Sequence, residues 1–208
     1  FGDAGGDTEE ARFAALEDTT IQLPAIFVTS IAVARLFESW GVKPEALLGH
    51  SVGENTAACL AGVMSYEDCL GLVVLRGRLV SSTPPGAMLS IAMSAPAILG
   101  MLPDTLDLAV INGPEACVVS GTPSDIDAFA EKFVDMEEVD VRRLNIPAAG
   151  HSRLLDGILE EFRAYLASIT LSKPAIPFLS NKSGGWITDE EATSPDYWTS
   201  HLRGTVRF

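Results

Sequence analysis

The segment Ala46-Leu47-Leu48-Gly49-His50-Ser51-Val52-Gly53 constrains the fold more than any other stretch of this chain. A short apolar run, the length of a buried strand, passes through a Gly-x-Ser-x-Gly turn into Glu54–Leu60, which reads as a helix. The residues flanking Ser51 must be small for the backbone to close, and the bend leaves the hydroxyl presented at its tip. The helix that follows aims free N–H groups and its positive end at any anion forming there, with the Val52 N–H as the nearest oxyanion donor. Strand, sharp turn and helix in that order point to an α/β chain.

The remaining elements fall into two rhythms. Thr20–Trp40 has helical periodicity and stops at Gly41-Val42-Lys43-Pro44. Ser65, with Asp68 three residues on, caps a helix over Tyr66–Val80. Between Pro84-Pro85-Gly86 and Asn145 the pattern changes. Strands at Met88–Met93, Leu106–Ile111, Ala116–Ser120 and Val139–Leu144 alternate with helices at Ser94–Met101 and Asp125–Phe133, and Asn112-Gly113-Pro114 forms a turn. That order is the split βαβ pattern of a ferredoxin-like unit. Beyond it, Ser152–Ser168 is an amphipathic helix, Ile176–Leu179 a strand, and Ser194-Pro195 opens a short helix through Trp198. The expected fold is an α/β-hydrolase-like large subdomain with a parallel sheet (residues 1–85 and 146–208), carrying an inserted ferredoxin-like βαββαβ subdomain (residues 86–145).

Charge excludes one class of partner. Lys and Arg total 14 against 28 Asp and Glu, so no basic footprint for nucleic acid is present. Scanned for unbroken apolar runs, the chain offers none near the roughly 20 residues a membrane span needs. No membrane partner is expected, and the three cysteines, Cys59, Cys69 and Cys117, lack metal or redox spacing and fit buried thiols in a reducing, cytoplasmic setting. Phe1 and the Gly/Asp-rich Gly2–Asp7 read as a cut within a longer protein.

A serine hydroxyl needs a base, and only three histidines are available. His50 adjoins Ser51, and neighbouring side chains of an extended segment point apart, so it suits support better than proton transfer. His151, after the small-residue loop Ala148-Ala149-Gly150, is preferred to His201. Arg76 interrupts an apolar stripe of Cys69, Leu72, Val73, Leu79 and Val80. A guanidinium on a buried face demands an anion, supplied by a structural carboxylate or by a substrate. Arg78 points elsewhere.

From Thr20 to Phe208 these features together resemble the malonyl-CoA:acyl-carrier-protein transacylase family, in particular the acyltransferase domains of modular polyketide synthases. The resemblance rests on Gly49-His50-Ser51-Val52-Gly53-Glu54, Arg76-Gly77-Arg78, Asn112-Gly113-Pro114, Val119-Ser120-Gly121, Gly150-His151-Ser152, Leu179-Ser180-Asn181, Tyr197-Trp198 and Val206-Arg207-Phe208. It implies that Ser51 carries an acyl ester, that His151 is its general base and acid, and that Arg76 pairs with the free carboxylate of a malonyl-type group. It implies a backbone role for His201, whose carbonyl would orient His151, and a supporting place for Asn112. It also implies no bound cofactor or metal, a coenzyme A thioester as donor, an acyl carrier protein with its phosphopantetheine thiol as acceptor, and a neighbouring ketosynthase domain.

Two departures from the family pattern matter. The Gly-Gln-Gly turn whose Gln backbone would complete the oxyanion hole does not occur in these 208 residues. At the extender-selecting tetrapeptide, malonyl-selective members resemble His-Ala-Phe-His and methylmalonyl-selective ones Tyr-Ala-Ser-His; this chain has Ala148-Ala149-Gly150-His151. Gly150 and Ala148 imply room for a C2 substituent, whereas Val52 is the residue usual in malonyl-selective members. A methylene is worth only about 1–3 kcal/mol of discrimination, so neither decides alone. The main rival reading is an α/β-hydrolase-type thioesterase or esterase, for which Asp104, Asp107 and Asp140 precede His151 in the required order. A non-catalytic docking fragment is the other.

Overall fold

The computed structural model describes residues 18–146 and 148–208; the expected cut at Phe1 and Gly2–Asp7 lies outside the described residues. Helix α1 (Thr19–Ser39) starts where the Asp18 side chain accepts from the Thr20 N–H at 2.8 Å. Helix α2 (Val52–Leu60) follows the elbow directly, and α3 (Tyr66–Ser81) is capped by Ser65, whose hydroxyl oxygen accepts from the Asp68 N–H at 3.0 Å. α1 lies against α3, and Gly77 makes the approach possible: a Cβ there would sit 2.5 Å from the Thr19 carbonyl oxygen. The same crossing keeps Arg76, one residue earlier, on the buried side.

α1 corrects the expectation about membrane spans. It has 21 residues, and its most apolar stretch reaches a mean hydropathy of 1.6, so by length and composition it could cross a bilayer. Scanning for unbroken apolar runs missed it because Thr, Ser and a single Arg dilute the run without lowering its average much. Phe27 and Ile31 nonetheless face the protein core.

Strands β1 (Ala87–Ile91), β2 (Asp107–Gly113), β3 (Ala116–Gly121) and β4 (Val141–Arg143) form an antiparallel sheet in the order β4-β1-β3-β2. Helices α4 (Ala95–Leu99) and α5 (Pro123–Ala130) fill the two crossovers, giving the expected βαββαβ unit. β2 runs two residues further than expected, so Asn112 and Gly113 belong to the strand and the turn is Pro114-Glu115. One face of this sheet packs Ile91, Ile98, Ile126 and Phe129 into a core of its own.

The chain then forms a 3₁₀ turn (Arg153–Ile158) before α6 (Leu159–Ser168), where a single α-helix was expected. α7 (Asp189–Ala192) precedes α8 (Pro195–Arg203), which continues past Trp198 because nothing breaks it before Gly204. β5 (Val206–Arg207) adds to the sheet parallel to β2 through Val110↔Val206, tying the two parts together. Of the parallel sheet expected beneath the elbow, the described residues contain one parallel bridge, Leu47↔Phe178, beside an antiparallel Leu179↔Trp186. The second core holds Phe27, Leu72, Phe162, Phe178 and Trp198, each worth roughly 1.5–3 kcal/mol on burial. Cys69 and Cys117 are buried thiols and Cys59 is half-buried; none is in a disulfide.

Candidate active site

The elbow forms as its residue types require. Gly49 has no room for a side chain, since a Cβ would lie 2.0 Å from the Gly53 carbonyl oxygen. Ser51 adopts φ 52 and ψ −113, and His151 has φ 54; among the described residues these are the only non-glycine residues with positive φ. Backbone strain of this kind, about 1–3 kcal/mol per residue, collects where function needs a side chain held in place.

The two strained residues meet. Ser51 Oγ lies 2.8 Å from His151 Nε2, across 100 positions of sequence. His151 Nδ1 lies 2.9 Å from the Gly204 carbonyl oxygen, which can only accept. The ring hydrogen therefore sits on Nδ1, leaving the Nε2 lone pair for the Ser51 hydroxyl. His151 is 5 % exposed, and burial, reinforced by the positive charge of Arg76, holds its pKa well below 6.5. It stands as a neutral acceptor at neutral pH.

Arg76 reaches the same oxygen. Its Nη2 donates to Ser51 Oγ at 2.7 Å and its Nη1 to Asn55 Oδ1 at 3.1 Å, while its buried Nε has no partner among the described residues. Burial lowers its pKa to about 10, partly offset by Glu54, so it remains cationic at neutral pH. Among the described residues no carboxylate forms an ion pair with it, so of the two anions left open by the sequence, a structural partner is not what the fold provides. The Nε and Nη2 hydrogens share one edge of the guanidinium, the edge a carboxylate engages with both oxygens. Arg78, by contrast, pairs with Glu161 at the surface.

A cavity of about 280 Å³ opens in front of these groups, lined by Ser51, His151 and Arg76 on one side and by Met88, Val110 and Val118 of the sheet on the other. Ala148 and Gly150 line it, and a Cβ on Gly150 would only touch Met88 Sδ at 3.8 Å. Ala149 does not line it and is corrected as a specificity residue: it packs beneath Gly86, where a Cβ would sit 2.2 Å from the Ala149 nitrogen. The Val52 side chain is likewise absent from the lining and belongs to the large core. Its N–H, at the first turn of α2, donates to no protein partner among the described residues. His50 Nε2 lies 2.9 Å from Asn112 Oδ1, joining the elbow to the extended end of β2.

His201 is a second correction. The carbonyl that orients His151 is that of Gly204, which has left the helix (ψ 168) and can turn toward the ring, whereas His201 lies within α8. The His201 ring is instead buried, with Nε2 3.2 Å from Glu54 Oε2 though not aligned for a hydrogen bond. Glu54 is fully buried, and sequence reading gave it no role. Burial pushes its carboxyl up, but His201, the Tyr197 hydroxyl and the Asn181 N–H together hold it below the ordinary value. Asn181 was likewise missed. Its Oδ1 accepts the Ser51 N–H at 2.7 Å and its Nδ2 donates to the Gly49 carbonyl at 2.8 Å.

A serine and a neutral histidine in contact, beside a buried guanidinium and an apolar cavity, form the arrangement that nucleophilic serine chemistry requires. The comparisons agree: residues 8–208 match the family model described as acyl transferase domain, and the chain belongs to that family. It is 38 % identical over 211 residues to polyketide synthase GfsB of Streptomyces halstedii, covering 98 % of this chain and 4 % of that synthase. The chain thus spans a small fraction of the curated relatives' length. Among solved structures, the acyl transferase domain of SpnD in complex with 2-(pent-4-yn-1-yl)malonyl superposes with a TM-score of 0.87 at 44 % identity, over 92 % of this chain and 46 % of that one. Malonyl CoA-acyl carrier protein transacylase from Burkholderia pseudomallei gives 0.85 at 30 % identity, over 96 % and 70 %.

The hydrolase alternative fails on both counts. Beyond family membership, no carboxylate among the described residues completes a triad: His151 faces a carbonyl, and Asp107 is held by Arg153 at 2.9 Å and Arg203 at 3.5 Å.

Proposed function

We propose that the domain moves a malonyl-type acyl group, C2-substituted or not, from coenzyme A to the phosphopantetheine thiol of an acyl carrier protein, within a synthase that also carries a ketosynthase. The observation carrying this reading is that one Ser51 oxygen contacts both His151 and an Arg76 that has no carboxylate ion-pair partner among the described residues. Neutral His151 takes the Ser51 proton as Oγ bonds to the thioester carbonyl carbon, and the Val52 N–H faces the resulting oxyanion. The C–S bond breaks, and protonated His151 returns its proton to the coenzyme A sulfur. The carrier thiol then attacks the ester and the steps reverse. Arg76 gives its Nε and Nη2 edge to the free carboxylate, which distinguishes malonyl-type from uncharged groups. The chemistry calls for no metal or bound cofactor.

The test is a mixed panel of malonyl-, methylmalonyl- and ethylmalonyl-CoA with uncharged acyl-CoAs, followed by intact mass of the domain and of a carrier protein. An ester on Ser51 that survives in water and discharges onto the carrier supports transfer; rapid loss to water refutes it. Gly150→Phe fills the space facing Met88. It is expected to lower use of C2-substituted donors relative to malonyl by about 10- to 100-fold, read as a competition ratio in the same panel.

A further inference from the structure

We infer that Asn181, itself pinned by Glu54, is the positioning residue that holds the strained elbow and thereby aims the Ser51 hydroxyl. The elbow's internal hydrogen bonds, Gly53 N–H to His50 O and Glu54 N–H to Ser51 O, both lie on its helical side. Neither restrains the φ of Ser51 from the strand side. The Asn181 amide does so by bracketing the bend: Nδ2 donates to Gly49 O at 2.8 Å before it, and Oδ1 accepts the Ser51 N–H at 2.7 Å within it. Because the Ser51 N–H is taken, the elbow donor left without an acceptor among the described residues is that of Val52.

The bracket is itself fixed. The Asn181 N–H donates to Glu54 Oε2 at 2.7 Å, so the helix leaving the elbow holds the loop that holds the turn. The Tyr197 hydroxyl meets Glu54 Oε1 at 2.5 Å and Ser180 Oγ at 2.6 Å, and both Asn181 and Glu54 are sealed from water. A carboxylate and a primary amide placed only to fill a core would leave lone pairs and hydrogens unmatched. Here each of the three polar atoms Asn181 offers to this site lands on the elbow or on the helix that leaves it. The role rests on the proposed function only in taking Ser51 as the nucleophile.

The test uses a fluorophosphonate, which needs the elbow and His151 but no coenzyme A. Ser51 Oγ bonds to phosphorus, fluoride leaves, and the hydroxyl proton passes through His151 to solvent. Asn181→Ala is expected to lower the maximal phosphonylation rate by about 10- to 100-fold with little change in half-saturating reagent, because misaim affects the step and not the pocket. Asn181→Asp discriminates further. As a carboxylate it lacks the hydrogen for Gly49 O and repels Glu54; protonated, it regains a donor in the same place. Glu54, Arg76, His151, Tyr197 and His201 surround the site, so rates are divided by those of the native protein at each pH.

The Asp variant should match Asn181→Ala near about pH 8 and recover several-fold toward about pH 5. An Ala variant within about threefold of native, or an Asp-to-Ala ratio independent of pH, would overturn the inference. If both variants fail to fold, Tyr197→Phe carries the test: a lowered maximal rate at unchanged half-saturation supports the bracket, and an unchanged rate overturns it. Native protein that phosphonylates normally but accepts no acyl group from any acyl-CoA would refute the proposed function and leave this inference standing.

Discussion

Replacing His151 by Ala is expected to slow formation of the Ser51 ester by about 10²- to 10⁴-fold, the usual contribution of a positioned base. The native Nε2 is 2.8 Å from the hydroxyl, and its tautomer is set by Gly204. Without the ring the hydroxyl proton loses its one acceptor among the described residues, although Arg76 still donates to the oxygen. Single-turnover acylation followed by intact mass gives the rate, and imidazole in the buffer should restore part of it by occupying the vacated space. His201→Ala should cost far less, because that ring faces Glu54 and its centroid is 6.3 Å from that of His151. Equal losses would place the proton transfer elsewhere. The pH profile follows from the same burial. A base with a lowered pKa stays unprotonated as the medium acidifies, so native acylation should hold level through 6.5, the ordinary imidazole value, and fall only below it. With Arg76 replaced, one of the charges depressing that pKa is gone, and the acid limb should move upward.

The parts of this site legible in the sequence are those fixed by local chemistry. Small residues around Ser51, an Arg on an apolar stripe and a histidine after a small-residue loop each signal themselves within one element, and the structure brings Ser51, His151 and Arg76 to one oxygen. The βαββαβ unit was legible for the same reason, as alternation and turn residues repeat within some 60 positions. What was missed depends on contacts between distant segments. Asn181 reaches the Ser51 N–H across 130 positions and Glu54 meets Tyr197 across 143, and nothing beside either residue announces its partner. The His201 expectation failed because a helix end decided it: α8 runs on to Arg203, and the free carbonyl belongs to the residue after it. One signal was available for Glu54. It sits in the first turn of α2, among Val52, Asn55, Thr56, Ala57 and Ala58, all buried, and a carboxylate within such a run asks for partners as surely as Arg76 does.

Arg76→Ala is expected to change selectivity more than overall competence. A malonyl-type carboxylate would lose the Nε and Nη2 edge and be left buried without a counter-charge. Truncating one member of such a pair costs about 2–5 kcal/mol, or about 30-fold and upward in relative use of malonyl-type donors. An uncharged acyl-CoA loses only the Nη2 contact to Ser51 Oγ, so its rate should fall much less. The competition ratio of malonyl- to acetyl-CoA, read by mass on Ser51, isolates the effect from any general slowing. Arg76→Lys retains charge without the planar fork and should recover part of the ratio only. If malonyl and acetyl use fall together in Arg76→Ala, the guanidinium serves the nucleophile alone. Some other group would then have to recognise the carboxylate, and among the described residues that line the cavity Arg76 is the only Lys or Arg.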